Sequence, residues 1–248
     1  MRSRTVAYHR HFSKWGLLGL AGFSLVADYP VRALDGASFT ESIRTEATTR
    51  VATSTHRRFV TREARFGVSL RGDTLVVSTD ATTLSETADG RDRVLDTDGF
   101  VGGRFYLQLS PVGKTTLIER PFVPDEIIEV SDVSRAMDDF FPPLPPELAL
   151  NATRIDSAGR EWRRLADSSG VQRYRWTHER SSEGTEQVGD SVPAQITEDT
   201  HESSALAWSG TRGPLHWTRR IESDVTTRLR GQTIRASVVQ RIEVVRTR

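Results

Sequence analysis

A residue-by-residue alternation of polar and apolar side chains, broken by short glycine- and proline-bearing turns, is the feature that most restricts how this chain can fold. It runs through FTESIRTEATTRV (39–51), REARFGVSLRG (62–72), DTLVVSTDA (73–81), GRFYLQLS (103–110) and KTTLIER (114–120). These stretches favour β-branched and aromatic residues, and Arg-Gly-Asp, Asp-Gly and Pro-Val-Gly turns separate them. A period of two sends successive side chains to opposite faces of a strand. Connections this short join neighbouring strands antiparallel. The pattern resumes in REWRRLAD (160–167), VQRYRWTHER (171–180), PAQITEDTHESSALAWSG (193–210), PLHWTRRIESDVTTRLRG (214–231) and QTIRASVVQRIEVVR (232–246). The last two, joined through Arg230-Gly231-Gln232, form the clearest hairpin. The expected architecture is mainly β: an antiparallel curved sheet, or an incomplete barrel or sandwich, with one short mid-chain helix.

That helix is expected over 131–140. Val130, Val133, Met137 and Phe140 recur at spacings of three, four and three, Ser131 stands where it can N-cap, and Asp132 falls in the first turn. Pro142 pushes Phe141 away from helical angles and ends the element. The remaining prolines of FFPPLPP read as an extended connector over 141–150. Two β-rich halves of a single domain, 34–130 and 151–248, lie on either side. Proline runs also serve as ligands for aromatic-lined adaptor modules, a role that suits intracellular chains better than this one.

The first 33 residues have a different chemistry. Arg2, Arg4, Arg10 and Lys14 precede the apolar run Trp15 to Ala27, and DYP and Val31-Arg32-Ala33 follow it. This order of basic, apolar and small residues is that of a secretory signal peptide. As a helix the run would span only about 20 Å, against a hydrocarbon core of about 30 Å, so no stable transmembrane span is expected after cleavage. Cleavage is expected after Ala33, with Ala27 as the second position. HRHFSK (9–14) departs from the twin-arginine export box at His9, which favours the general secretory route. The expected location is exported, periplasmic or extracellular.

Loss of this segment changes the charge balance. Five of the 34 basic residues (Arg2, Arg4, Arg10, Lys14, Arg32) and one of the 33 acidic residues (Asp28) leave with it. The remaining chain is slightly acidic, with both signs interspersed along nearly every strand, a pattern that argues against a nucleic-acid partner. No cysteine is present, so no disulfide framework can form and stability must come from the core.

Several short strings imitate functional motifs and fail on spacing. Gly113-Lys114-Thr115 resembles the end of a phosphate-binding loop, but the first glycine of that motif would fall at Gln108. Asp96-Thr97-Asp98-Gly99 resembles the start of a calcium loop, yet Leu107 stands where the closing glutamate belongs. Asn151-Ala152-Thr153 is a formal glycosylation sequon. His56, His178, His201 and His216 are scattered, without metal-ligand spacing, and no G-x-S-x-G elbow or cysteine nucleophile exists. Carboxylates such as Asp138, Asp139, Glu161, Glu179 and Glu222 are plentiful, but their spacing defines no acid/base pair. No catalytic, cofactor or metal residue is assigned, and binding is favoured over catalysis.

A helix ending in FFPPLPP, preceded by LDTDGF and LSPVGKTTLIE and followed by a second β-rich half, resembles a family of uncharacterised exported bacterial β-rich proteins in which a mid-chain helix is followed by an FP-x-LP motif. Members follow the prolines with a Gly-x-x-Trp element, for which the nearest match here is Gly159-Arg160-Glu161-Trp162. The resemblance implies a fold and an export route but no activity. A curved antiparallel sheet with helix cover is also similar in architecture to half-barrel carriers that shuttle lipids or lipoproteins between bacterial membranes.

The functional candidates are aromatic. Tyr174 and Trp176 share a strand face with His178, while Leu206 pairs with Trp208 and Leu215 with Trp217 on later strands. If these faces look into a half-closed sheet, Tyr174, Trp176, His178, Trp208 and Trp217 line an apolar pocket. The alternative is that they are plain core. The expected function is non-catalytic binding of a lipid or other apolar small molecule in the cell envelope. The alternatives are an envelope protein acting through contacts with a protein partner, and a hydrolase whose site leaves no mark in the sequence.

Overall fold

The computed structural model describes residues 29–248 apart from 112, 129, 132–136, 138–139 and 189–191. Twelve strands among the described residues form one curved antiparallel sheet that does not close on itself. In chain order they are β1 (Ser38–Val51), β2 (Ser54–Arg71), β3 (Thr74–Ala88), β4 (Arg91–Leu95), β5 (Arg104–Leu109), β6 (Thr115–Glu119), β7 (Thr153–Ile155), β8 (Glu161–Ser168), β9 (Val171–Val188), β10 (Val192–Ser209), β11 (Gly213–Leu229) and β12 (Gln232–Arg246). The spatial order is β6-β5-β3-β2-β1-β12-β11-β10-β9-β8-β7, and β4 pairs with β3 beside β5.

The sheet is therefore two meanders joined at their free ends. β1 pairs with β12 over thirteen residue pairs, from Phe39↔Arg246 to Val51↔Ile234. Tight hairpins build each meander. Arg230 and Gly231 both take positive φ (48° and 78°), as do Asp89 and Gly90 (48° and 79°), the conformation that matches a two-residue turn to the twist of its strands.

Alternation decides which face of the sheet is dry. Reading across the strands, Thr82, Ala64, Glu41, Val244, Trp217, Leu206 and Tyr174 stand in one continuous row, and all seven are buried. Covering this core face is the segment that carries the chain from β6, at one edge of the sheet, to β7, at the other. Ile127, Met137, Phe140 and Phe141 of this strap are each at most 3% exposed. The Phe140 ring lies edge-on to Phe66 (5.2 Å), Phe39 (5.7 Å) and Trp217 (5.7 Å), so it ties together β2, β1 and β11. Burying an aromatic of this size stabilises the fold by roughly 1.5–3 kcal/mol.

The two phenylalanines thus plug the core, and the prolines hold the strap extended as it leaves. One helical turn, α1 (Asp125–Ile128), is described within the strap. Most of the range 131–140, where the sequence pattern predicts the helix, lies outside the described residues.

Tyr29 and Leu34 belong to this core, and Val31 packs against it. Tyr29 is 4% exposed, its ring sits 5.3 Å from that of Trp208, and its backbone N–H donates to Pro111 O at 2.7 Å. Gly113, at φ +82°, packs against the Tyr29 ring so closely that a Cβ there would overlap it. Burial pushes the Tyr29 phenol well above its usual range. A short 3-10 turn, Val31–Leu34, then leads into β1, and Arg246 Nη2 donates to Ala33 O at 2.7 Å.

Candidate functional site

The proline run divides the predicted aromatic set between two clefts. Trp176, His178 and Trp217 line one, of about 210 Å³, with Phe141, Pro142 and Pro143 as its other wall. Tyr174 and Trp208 line the second, of about 350 Å³, against Leu144, Pro145, Pro146 and Leu148. Tyr174, Trp176, Trp208 and Trp217 are all buried, at 4% exposure or less, and His178 is half-buried. Trp217 meets Phe39 and Phe140, both at 5.7 Å between ring centroids. Three of the five residues therefore share one cleft, the other two share its neighbour, and most of their area packs against protein.

The first cleft is more polar than its aromatic residues suggest. Arg160, Arg180, Glu202 and Arg219 reach it, and Arg219 Nε donates to Glu202 Oε1 at 2.6 Å. The Arg160 guanidinium lies 5.9 Å from the Trp162 ring and 5.8 Å from the Trp176 ring, a cation–π arrangement.

Asp156 holds that guanidinium in place. Its Oδ2 accepts from Arg160 Nε at 2.7 Å and from Trp162 Nε1 at 2.8 Å, while Oδ1 accepts from the backbone N–H groups of Ala158 and Arg160. Burial works to raise the Asp156 carboxyl, but these donors outweigh it and hold the group below the usual carboxylate range. The Gly-x-x-Trp element thus closes a turn between β7 and β8. Gly159, at φ +84°, sets its tip against the His178 ring. Asp156 escapes a sequence reading because Arg160, four residues on, is one of many nearby charge pairs in this chain, and the other partners are turn N–H groups and an indole that only the folded turn brings together.

A line of charged groups marks where the covered part of the core face ends. Arg62 Nη2 donates to Glu41 Oε2 at 2.6 Å with both side chains buried, Arg219 pairs with Glu202, and Glu86 accepts from Arg58 Nε and Arg93 Nε. Arg58 Nη2 also donates to Val130 O at 3.2 Å, tying the strap to β2. Burial would raise the Glu86 carboxyl, yet the two guanidinium groups keep it below its ordinary range. Beyond this line the strands continue. On the same face lie Thr45, Ala47, Thr49 and Val51 of β1, beside Val238, Ala236 and Ile234 of β12 and Ile221 and Val225 of β11. All are half-buried, and none is aromatic.

Among the described residues no group of three or more histidines or carboxylates could hold a metal ion. His56, His201 and His216 each face one carboxylate, on Asp89, Glu179 and Glu243 respectively, at exposed positions. The Asp96–Gly99 string forms a turn in which Asp96 Oδ1 accepts the backbone N–H of Asp98. No helix among the described residues is long and apolar enough to cross a membrane.

No protein-family model matches the chain, and neither does any curated protein. Among solved structures it is similar to OccK5 (OpdH) of Pseudomonas aeruginosa, at 6% identity and a TM-score of 0.30, over 86% of this chain and 99% of that one. OpdQ of the same organism aligns over 86% and 99% at 6% identity and a TM-score of 0.25. MucB in complex with MucA(peri) aligns over 86% of this chain and 91% of that one, at 10% identity and a TM-score of 0.16. At TM-scores this low none of the three bears on what this chain binds.

Proposed function

We propose that this chain is an exported binding protein of the bacterial cell envelope that holds an apolar ligand, a lipid or single acyl chain, on the far half of its core face. The observation that carries the reading is the half-buried series beyond the ion pairs, Thr45 to Val51 with Ile234 to Val238 and Ile221 to Val225. Gln240 and Ser223 interrupt this face, but its alanine, valine and isoleucine positions gain from cover and no aromatic side chain fills it. From residue 45 to 51, at about 3.4 Å per residue, it runs roughly 20 Å along the strands, a length suited to an extended acyl chain. Export is supported by the basic, apolar and small-residue order of the first 33 residues.

Thermal melting with a panel of fatty acids and phospholipids tests this. A bound ligand at about 100 times its Kd adds roughly 2.7 kcal/mol, a readily measured rise in Tm. Ala236→Glu, which places a charge on the far half, is expected to abolish that rise while leaving the unliganded melt close to wild type. A panel without any stabilising lipid, or an unchanged rise in Ala236→Glu, overturns the reading.

A second reading has its own observation. Ile118 (54% exposed), on the edge strand β6, and Phe122 (80% exposed), just past it, form an apolar margin. An unpaired strand edge with apolar neighbours suits a protein partner. Loss of a co-purifying envelope protein in Ile118→Lys with Phe122→Ser, with lipid stabilisation absent throughout, would favour this reading over the first.

A further inference from the structure

On the face of the sheet away from the strap, three arginines stand in one row on adjacent strands. Arg44 of β1 is the register partner of Arg241 of β12, and Arg241 is the partner of Arg220 of β11. Like charges placed directly opposite one another destabilise a sheet, so this row works against the fold that carries it. Carboxylates could have relieved it. Arg220 does donate to Glu222, at 2.7 Å from Nε, but the Arg44 and Arg241 side chains have no ion-pair or hydrogen-bond partner among the described residues.

The row lines a groove of about 710 Å³, to which four arginines of this face (Arg44, Arg175, Arg220 and Arg241) and a single glutamate contribute. The glutamate, Glu243, is already engaged, its Oε1 lying 2.9 Å from His216 Nε2. Hydroxyls from Ser42, Ser203, Thr177 and Thr218 also line it, so donors and positive charge converge on one concavity. With neighbouring strands about 4.8 Å apart, the three guanidinium groups span on the order of 10 Å.

We propose that this groove binds a discrete small molecule carrying two or more phosphate groups. Guanidinium recognises phosphate through paired N–H donors, and three in a row present several such forks to a multiply charged anion. A bound polyanion would also remove the mutual repulsion of the row. The site is separate from the far half of the core face and does not depend on an apolar ligand there.

Isothermal titration of the full chain with inorganic pyrophosphate, at low and at moderate salt, tests the proposal, with phosphatidylglycerol vesicles as a parallel arm. Saturable binding that weakens at least about tenfold in Arg44→Gln and again in Arg241→Gln is expected, since each removes charge-assisted hydrogen bonds. Arg241→Gln should melt no lower than wild type, because it relieves like-charge contacts; this separates lost binding from lost folding. Arg241→Lys should recover part of the affinity. No saturable pyrophosphate binding, or binding indifferent to both substitutions, overturns the proposal. Binding to anionic vesicles without binding to pyrophosphate also overturns it, in favour of a membrane-facing surface.

Discussion

Arg62 Nη2 donates to Glu41 Oε2 at 2.6 Å from one strand to the next, and the two side chains are 4% and 3% exposed. A buried pair of this kind is a weak net stabiliser but a strong constraint, because either partner alone is a buried charge. Arg62 Nε already lacks a hydrogen-bond partner. Glu41→Ala is expected to cost about 3–5 kcal/mol in urea denaturation, and Glu41→Met combined with Arg62→Leu to recover most of it. Equal losses in the single and double variants would show that packing, not charge, sets the cost.

The aromatic cluster under the strap should behave as core. Trp217→Ala and Phe140→Ala are each expected to cost about 3–5 kcal/mol, from lost contacts and a residual cavity. Because the two rings touch, their effects should add up to less or more than their sum by an amount a double-mutant cycle resolves. A Trp217→Ala variant that melts like wild type, and instead loses ligand-induced stabilisation, would return this residue to a pocket role.

Asp156 makes stability pH-dependent in a defined direction. Its folded-state carboxyl titrates below the unfolded value, so the contribution is present in full above the unfolded value of about 3.9 and is lost as pH falls through the folded one. Asp156→Asn should lower stability near neutrality and flatten its decline in acid. Urea midpoints collected between about pH 2.5 and 6 measure this. An unchanged acid slope in the variant would place the dependence elsewhere, with Glu86 the next group to test.

If the chain is exported and cleaved as proposed, the secreted material is expected to begin at Asp28. Of the two cleavage positions expected from the sequence pattern, the one after Ala27 would keep Tyr29 against Trp208, whereas the one after Ala33 would remove that ring and the carbonyl that accepts from Arg246. N-terminal sequencing of secreted material distinguishes them. A start at Leu34 with an unaltered melt would mean that Tyr29 contributes nothing to the mature fold.

Local pattern made most of the strands legible. QTIRASVVQRIEVVR alternates over most of its length, broken only near Val239-Gln240 and Val245, and is β12 over the same residues, Gln232–Arg246. Strand ends were less visible where the outward face is charged. β2 starts at Ser54, eight residues before the apolar alternation becomes clear, because His56, Arg57 and Arg58 hide it. β9 runs on to Val188 through the polar SSEGTE, held by its pairing with β10 and not by any apolar signal of its own. The partnership of β1 with β12 left no trace, since two strands that meet across the whole chain share no turn. The role of Phe140 and Phe141 was hidden for a related reason: what they plug is assembled from β1, β2 and β11, and no spacing along the chain encodes it.

The joining of β1 to β12 sets an order of events. Each meander is made of local hairpins, which close quickly and can form as soon as their own residues are available. The central seam cannot, because one side of it is the first long strand and the other is the last. A chain emerging N-terminus first would present the open edge of β1, fourteen residues long, until the final strand arrived. Zipping of that seam is then the late, slow step of folding, and the interval before it is when the chain is most exposed to mispairing.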